Sequence, residues 1–572
     1  MRRRDGEIEF DAGQFRGRAR LLAGLLALTA LVLVGRSVQL QVLDRQFIER
    51  QADMRHARTA RLVAHRGAVH DRFGEPLAVS SPVDTVWVNP PEFAEAGEGI
   101  PRLARALGIN RQWLEQRVTS NLDREFLYVE RHIEPTQKEA VRKLQLPGVY
   151  FQREYKRFYP NAEVTGHLLG FTSLDEAGQE GLELAFDHTL KGTDGAKRVI
   201  QDGRGRVIQN VEVIRAPAQG QDLVTSIDLR IQYLAYRELK SAIRQHRARA
   251  GTVIVLDIAT GEVLAMVNQP SFNPNDRSQY EVARYRNRAV TDIFEPGSSI
   301  KPFVVAAALE SGRYRTNSTI DAVPFKVGSM LIRDKHDLGT IDMGVVLARS
   351  SNVAMAKMAL SLDRNQMHDT LRALGFGEVT ASGFPGESAG LLTGAANWRP
   401  INIATMSYGY GLSVTPLQLA QAYATIGAGG IHRPVTFRRA EVPAAGERVL
   451  PAKVARDLVG LLEGAVTPAG TGSKAAVAGY RVAGKTGTAW KAVPGGYSTD
   501  RYLSVFAGVV PATAPRLAVV VMVDEPQGAL YYGGDVAAPV FSAVTSGALR
   551  LMSVAPDDLA RITPVEFPED GP

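Results

Sequence analysis

Three short patterns in this chain place nucleophilic, basic and amide side chains at spacings that suit acyl transfer. Ser298-Ser299-Ile300-Lys301 follows Phe294-Glu295-Pro296-Gly297. Pro296-Gly297 is a turn signal and the stretch from Lys301 to Glu310 is helix-like, so Ser298 falls at or near a helix N-terminus. Positions three apart share a helix face, which puts Lys301 beside the Ser298 hydroxyl, where a serine nucleophile needs its base. Taken alone, the pattern is weak, and an N-cap serine with a solvated lysine is the better reading of a random match. Ser350-Ser351-Asn352 comes about fifty residues later, again near a helical stretch. Lys485-Thr486-Gly487-Thr488 lies in a strand-like segment, Tyr480 to Trp490.

The ordered set Ser-x-x-Lys, Ser-x-Asn, Lys-Thr-Gly resembles that of the penicillin-recognising serine enzymes, and the chemistry of such a site explains each residue type. Ser298 Oγ attacks an amide or strained lactam carbonyl, giving an acyl-enzyme that a second nucleophile must open. Lys301, the base, must be neutral for part of the cycle, and burial beside a second cation such as Lys485 lowers its pKa toward that state. Ser350 is placed to pass the proton to the leaving nitrogen, and Asn352 to hold the substrate amide. Lys485, Thr486 and Thr488 supply a positive charge and hydroxyls for a terminal carboxylate. Gly487 lets a substrate backbone approach the strand closely. The backbone N–H groups of Ser298 and Thr488 are the natural oxyanion hole. No metal and no cofactor is expected.

One competing motif overlaps this site. Gly479 to Thr486 matches the phosphate-binding pattern G-x-x-x-x-G-K-[ST], and Leu517 to Glu525 imitates the apolar strand plus acid of a magnesium site. A phosphate cradle needs the loop to feed a helix directly after the lysine. Here Gly487 follows at once, and Pro494-Gly495-Gly496 stops any helix within about ten residues. The motif is refused on that context.

The elements around these residues fit one large catalytic unit with accessories. The chain has 572 residues, 45% hydrophobic and 22% charged, which excludes wholesale disorder. A net charge of +7 is small for this length, and no basic run interleaved with aromatics stands out, so no nucleic-acid partner is expected. The absence of cysteine removes disulfides, thiolate nucleophiles and zinc-thiolate or iron–sulfur sites. From Gly251, two apolar runs around Ala259-Thr260-Gly261 read as paired strands. Helical stretches follow after Ser298 and from Gln418 to Ile426. Two further strands, Tyr502–Val510 and Leu517–Asp524, precede a closing helix from Pro539 to Met552. Strands at both ends with helices between predict one α/β sandwich whose sheet is completed late.

Leu21 to Gly35 carries no charge and extends through Arg36 to Leu43, with Arg36 snorkelling to the interface. No small-x-small cleavage site follows, so an uncleaved signal anchor is favoured over a cleaved signal peptide. Six arginines precede the span, against about four in the next twenty residues, which favours an inside N-terminus.

Over nearly its whole length the chain resembles the class B penicillin-binding proteins, most closely the division-specific D,D-transpeptidases of Gram-negative bacteria. Arg66-Gly67, Asp71-Arg72, Gly74 and Leu77-Ala78 resemble the first pedestal motif, and Arg157-Phe158-Tyr159-Pro160 with His167 and Gly170 the second. Gly181, Glu183, Gly192 and Gly195 resemble the third. Asn161-Ala162 departs mildly, standing where a glycine is often found. The resemblance implies an α/β chain with a cytoplasmic tail (1–18), a transmembrane anchor helix (19–43) and an elongated α+β pedestal of dimerisation type (44–220). A transpeptidase domain (221–555), an antiparallel sheet flanked by helices, and a loose tail (556–572) complete it. It also implies a single-pass protein of the bacterial inner membrane with a periplasmic catalytic domain. That domain would cross-link peptidoglycan stem peptides, a D-Ala-D-Ala donor with an amine acceptor, during septal wall synthesis, and would be acylated by β-lactams. Its expected partners are a membrane glycosyltransferase and divisome proteins. The alternatives are an elongation-type transpeptidase, a D,D-carboxypeptidase or β-lactamase, and a non-catalytic β-lactam sensor.

Other conspicuous residues take plainer readings. His65, His70 and His167 lack metal-ligand spacing and read as turn or interface hydrogen-bonders. Tyr408 to Gly411 reads as a glycine-rich loop beside the cleft. Arg66, Asp71 and Arg72 read as a lock between pedestal and catalytic domain, or onto a partner.

Overall fold

The computed structural model describes residues 12–39, 57–201, 207–276, 278 and 281–558. An N-terminal helix, α1 (Ala12–Val38), contains 22 residues, Gly17–Val38, long and apolar enough to cross a membrane, with a mean hydropathy of 2.1 and none of that surface buried by protein. The expected continuation to Leu43 lies outside the described residues.

The chain, α1 included, divides into two compact units whose segments interleave: 1–64, 83–154 and 193–218 in one, and 65–82, 155–192 and 219–572 in the other. The grouping does not follow the linear boundary at Gly220.

The smaller unit contains a three-stranded antiparallel sheet in the order Ala57–Leu62, Gly195–Gln201, Val207–Arg215. A separate core gathers Val86, Val88, Phe93, Leu103, Leu114, Val118, Leu127 and Val129 between short helices and a strand pair. Asn89-Pro90-Pro91, a turn signal in the sequence, opens a helix instead, Pro90–Ala94. The Asn89 side chain caps it by accepting from the Glu92 N–H at 3.2 Å, and proline is tolerated in the first helical turn.

The larger unit is built on a five-stranded antiparallel sheet. Helix α2 (Leu229–Gln245) precedes β1 (Ala250–Asp257) and β2 (Val263–Gln269). The helices α3 (Lys301–Glu310), α4 (Asn352–Ser361) and α5 (Pro416–Gly427) follow. Then come β3 (Ala483–Val493), β4 (Gly496–Val510), β5 (Leu517–Asp524) and α6 (Ala538–Leu551). The strand order is β2-β1-β5-β4-β3, so the two early strands are joined by the last one, as the sequence predicts.

Every residue of β1, β2 and β5 is buried, which is why they read as unbroken apolar runs rather than alternating ones. Alternate side chains serve opposite faces. Val253 and Val255 pack with Leu239 of α2 and Phe541 of α6, while Ile254 and Leu256 join Phe303 of α3 and Tyr423 of α5. Each such fully buried aliphatic side chain contributes about 1.5–3 kcal/mol. The sandwich therefore holds β3, the edge strand, and α3 as fixed parts.

Arg66, Asp71 and Arg72 act within this unit. Arg66 pairs with Glu183 at 2.7 Å and Asp187 at 2.6 Å, Arg157 pairs with Glu183 at 2.6 Å, and Arg72 meets Glu262 at 3.3 Å. Asp71 accepts from the N–H groups of Phe73 and Glu75 at 2.8 and 2.9 Å. His65 and His70 bond the carbonyls of Ser80 and Gly74, and His167 donates to the Arg284 carbonyl at 2.7 Å. The start of the expected loose tail is fastened, since Asp557 accepts from the Arg481 N–H at 2.7 Å; residues beyond Asp558 lie outside the description.

Candidate active site

Ser298 sits in a tight helical turn, Gly297–Ile300, that leads straight into α3. Gly297 has φ +53°, and a Cβ there would lie 3.1 Å from the Thr488 carbonyl oxygen, so the turn is packed directly on β3. At Gly487 the neighbour that requires the missing side chain is Pro296, whose carbonyl oxygen would lie 2.8 Å from a Cβ. The turn that carries Ser298 therefore itself approaches the strand closely at Gly487. Successive residues face opposite sides of the strand, which leaves the side chains of Thr486 and Thr488, flanking Gly487, on the side that lines the cavity.

That cavity, about 480 Å³, is lined by Ser298, Ser350, Asn352, Thr486 and Thr488 together with loop residues around Asp334. Two lysines stand behind the lining. Lys301 is fully buried, and its Nζ donates to the Ser350 carbonyl at 2.7 Å, to Ser350 Oγ at 3.1 Å and to Asn352 Oδ1 at 2.8 Å. Lys485 is also fully buried, with Nζ 3.2 Å from the Thr486 carbonyl and 3.3 Å from Thr486 Oγ1.

Burial, and then the charge of Lys485, hold the Lys301 ammonium well below the ordinary lysine pKa, with Asp334 pulling the other way. Burial alone brings Lys485 down to about 7. The hydroxyl of Thr488 accepts from the Gly533 N–H at 3.0 Å, which leaves its own proton to donate into the cavity. Thr486 and Thr471 share a hydroxyl–hydroxyl bond of 2.7 Å.

The Ser-x-Asn segment shows why its spacing works. Ser351 caps α4, its Oγ accepting from the Ala354 N–H at 3.0 Å, so Asn352 is the first helical residue and Ser350 stands just outside. Ser350 has φ +60°, an unusual value for a residue with a Cβ, and this turns it toward Lys301.

Asp334 holds the arrangement. Its carboxylate accepts from Ser351 Oγ, from the Asn352 N–H and from the Val353 N–H at 3.2 Å. This residue carries no motif in the sequence. It lies in the charged run Arg333–Asp337, and only its neighbourhood in space gives it a role. The refused nucleotide motif is settled locally: Lys485 lies on β3, and the chain continues as strand to Val493 where a phosphate cradle requires a helix.

A serine, a buried lysine of lowered pKa and a second serine and asparagine beside a Lys-Thr-Gly edge strand define a penicillin-recognising serine acyltransferase. The chain belongs to the class B penicillin-binding proteins. The family described as the penicillin-binding protein transpeptidase domain matches residues 251–546, and the penicillin-binding protein dimerisation domain matches residues 61–225. The peptidoglycan D,D-transpeptidase FtsI of Escherichia coli is 42% identical over 556 residues, covering 96% of this chain and 94% of that protein. The probable peptidoglycan D,D-transpeptidase PenA of Neisseria meningitidis is 40% identical over 548 residues, covering 94% of each. Among solved structures, the transpeptidase domain of penicillin-binding protein 3 from Burkholderia pseudomallei is 42% identical, with a TM-score of 0.54 over 58% of this chain and 97% of that one. A peptidoglycan synthetase from Bifidobacterium adolescentis shares the fold at 24% identity, with a TM-score of 0.70 over 88% of this chain and 98% of that one.

Proposed function

We propose that this protein is a peptidoglycan D,D-transpeptidase that cross-links stem peptides through an acyl-enzyme on Ser298 during septal wall synthesis. The observation that carries the residue assignment is Lys301, buried, held below its ordinary pKa and bonded to Ser350 and Asn352 behind the cavity that Ser298 lines.

Neutral Lys301 takes the proton of Ser298 as Oγ bonds to the carbonyl carbon of the donor's D-Ala-D-Ala amide. The developing oxyanion is met by the N–H groups of Ser298 and Thr488, each such donor being worth roughly 3 kcal/mol of barrier. The proton passes through Ser350 to the departing nitrogen, the C–N bond breaks and D-Ala leaves. Lys485, Thr486 and Thr488 hold the donor's terminal carboxylate, and Asn352 the substrate amide. In the second half, an acceptor amine bonds to the acyl carbon, the C–Oγ bond breaks, and the amine's proton returns to Ser298 by the same groups. A β-lactam acylates the same oxygen but keeps its leaving group tethered, so the adduct persists.

The helix α1 anchors the catalytic unit to the inner membrane, with the arginine-rich tail inside and the catalytic unit in the periplasm, beside a membrane glycosyltransferase and divisome proteins. The division role is supported by the likeness to FtsI of Escherichia coli, and a depletion strain tests it: filaments mean division, round cells elongation. The chemistry is tested by labelling with a fluorescent penicillin. Ser298→Ala should lose all covalent label with a thermal midpoint within a few degrees of wild type, since one hydroxyl on a partly buried residue lining the cavity contributes little to folding. Labelling that persists in this variant overturns the assignment, and an acyl-enzyme that hydrolyses in seconds identifies a β-lactamase.

A further inference from the structure

The cavity of Ser298 carries more positive charge than one terminal carboxylate requires. Besides the strand residues Thr486 and Thr488, with Lys485 buried behind them, its lining includes the cations Lys335, Arg349 and Lys474, with His336 beside them, against two acids, Asp334 and Asp535. Both acids are engaged. Asp334 accepts from three donors at the start of α4, and Asp535 pairs with Lys474 at 2.7 Å. Among the described residues, no carboxylate lies within 4.0 Å of Lys335, His336 or Arg349, and all three are exposed.

Two of these cations are nevertheless positioned. The Lys335 ammonium stands 5.1 Å over the Tyr532 ring, and Arg349 Nη1 donates to the Ala469 carbonyl at 3.2 Å. Arg349 also directly precedes Ser350, so its guanidinium is carried by the same turn that presents the proton-relaying hydroxyl. A charged wall that is placed but left unneutralised, inside a reaction cavity, is complementary to an anion that arrives with a substrate.

The reaction says which substrate. The donor's terminal carboxylate goes to the Lys-Thr-Gly strand and departs with D-Ala. A second stem peptide must then bring its amine to the same acyl carbon, against water in large excess. That acceptor is itself a peptide with carboxylates. Resting on the transpeptidase reading above, we propose that Lys335, His336 and Arg349 form a subsite for a carboxylate of the acceptor stem peptide, separate from the donor's carboxylate site at Lys485–Thr488. The subsite favours aminolysis over hydrolysis by holding the acceptor while its amine reaches the acyl carbon.

The test uses the full chain in detergent, acylated by a peptide thioester donor. It reads the ratio of aminolysis to hydrolysis, a quantity independent of how fast the acyl-enzyme forms. The acceptor pair is Nα-acetyl-lysyl-D-alanine and its C-terminal amide, the same amine with and without a remote carboxylate. Wild type should favour the carboxylate acceptor by about tenfold, the scale of one charge-assisted hydrogen bond. The preference should shrink as ionic strength rises. Arg349→Gln and Lys335→Gln should each bring it close to one, with Arg349→Lys retaining part.

Exchange with free D-alanine, whose carboxylate returns to the donor site, should keep its dependence on Lys485 in those variants. Equal use of both acceptors by wild type, or a preference that survives both glutamine variants, overturns the subsite. Aminolysis by neither acceptor, despite a formed acyl-enzyme, overturns the transpeptidase reading itself.

Discussion

Lys301 Nζ lies 3.1 Å from Ser350 Oγ and 2.7 Å from the Ser350 carbonyl, so one buried ammonium is tied to both the side chain and the backbone of the serine proposed to relay its proton. A base in this position works only when neutral, and its burial beside Lys485 lowers its pKa in that direction. Lys485 has the opposite requirement. It must be charged to meet a carboxylate, yet its free-enzyme pKa is brought to about 7. Second-order acylation by a penicillin, which reports the free enzyme, should therefore be bell-shaped in pH. The rate should rise as Lys301 loses its proton and fall above about 7 as Lys485 does, the two limbs belonging to the coupled pair. Lys485→Arg, whose guanidinium does not titrate in this range, should remove the falling limb even if the peak rate drops. A falling limb unchanged in that variant would assign it to another group.

The same buried lysine should reduce stability. Its pKa falls from 10.5 in the unfolded chain to about 7 in the native state, so between those values the unfolded chain holds a proton that the native one releases. Stability from this group thus rises with pH from about 7 to 10.5, and its cost is full below 7. Lys485→Met, which keeps length without charge, should raise the thermal midpoint at pH 6 by a few degrees, and by less at pH 9, while acylation collapses. A midpoint that falls at both pH values would show that the ammonium is net stabilising.

Asp334 combines three donors at the α4 N-terminus with an attraction for the Lys301 proton. Asp334→Asn keeps the shape, removes the charge and weakens the cap, at a cost of about 1–2 kcal/mol. It should also move the acid limb of the acylation profile to lower pH, because the one group that raises the Lys301 pKa is gone. A purely structural role would lower the midpoint and leave the limb in place.

The residues gathered at the Ser298 cavity were legible because each sits on a local pattern. The turn at Pro296-Gly297, the three-residue helical spacing and the strand-like Lys-Thr-Gly segment are short-range signals, and the buried strands announce themselves as apolar runs. What was not legible depends on contacts far apart in sequence. Asp334 reaches Ser351 only through the fold, Gly487 is small because Pro296 crosses it, and the compact units interleave in a way no linear boundary at Gly220 can express. At Asn89-Pro90-Pro91 the ambiguity is local, since the same residues that end strands also cap and open helices.

Glu183 is fully buried and accepts from both Arg66 and Arg157 at 2.8 and 2.6 Å. Glu183→Ala leaves the Arg157 guanidinium in a dry interior without this counter-charge and Arg66 with Asp187 alone, a loss on the order of 3–5 kcal/mol. The thermal midpoint should drop sharply, whereas the protein that remains folded should label with penicillin at the wild-type rate, since none of these groups lines the Ser298 cavity. A selective loss of labelling at unchanged midpoint would place the network in the chemistry instead.

Ser350 offers a test that separates backbone from side chain. Its φ of +60° costs a residue with a Cβ about 1 kcal/mol, a cost glycine does not bear. Its hydroxyl contributes a bond to Lys301, and its carbonyl contributes another that any residue can make. Replacing Ser350 by alanine removes the hydroxyl and keeps the strain; replacing it by glycine removes both, while adding flexibility to the unfolded chain. If the left-handed conformation is imposed by Asp334 and the α4 cap rather than chosen by Ser350, the Ser350→Gly variant should be as stable as wild type or slightly more so, and Ser350→Ala less stable than either. Acylation should fall to a similar, low rate in both variants, because each lacks the proton relay and each leaves Lys301 bound to the carbonyl. Thermal midpoints with acylation rates on the two variants decide it. An alanine variant as stable as the glycine one would mean the turn relaxes on losing the hydroxyl. The side chain bonded to Lys301, and not the Asp334 cap, would then be what holds Ser350 in its catalytic position.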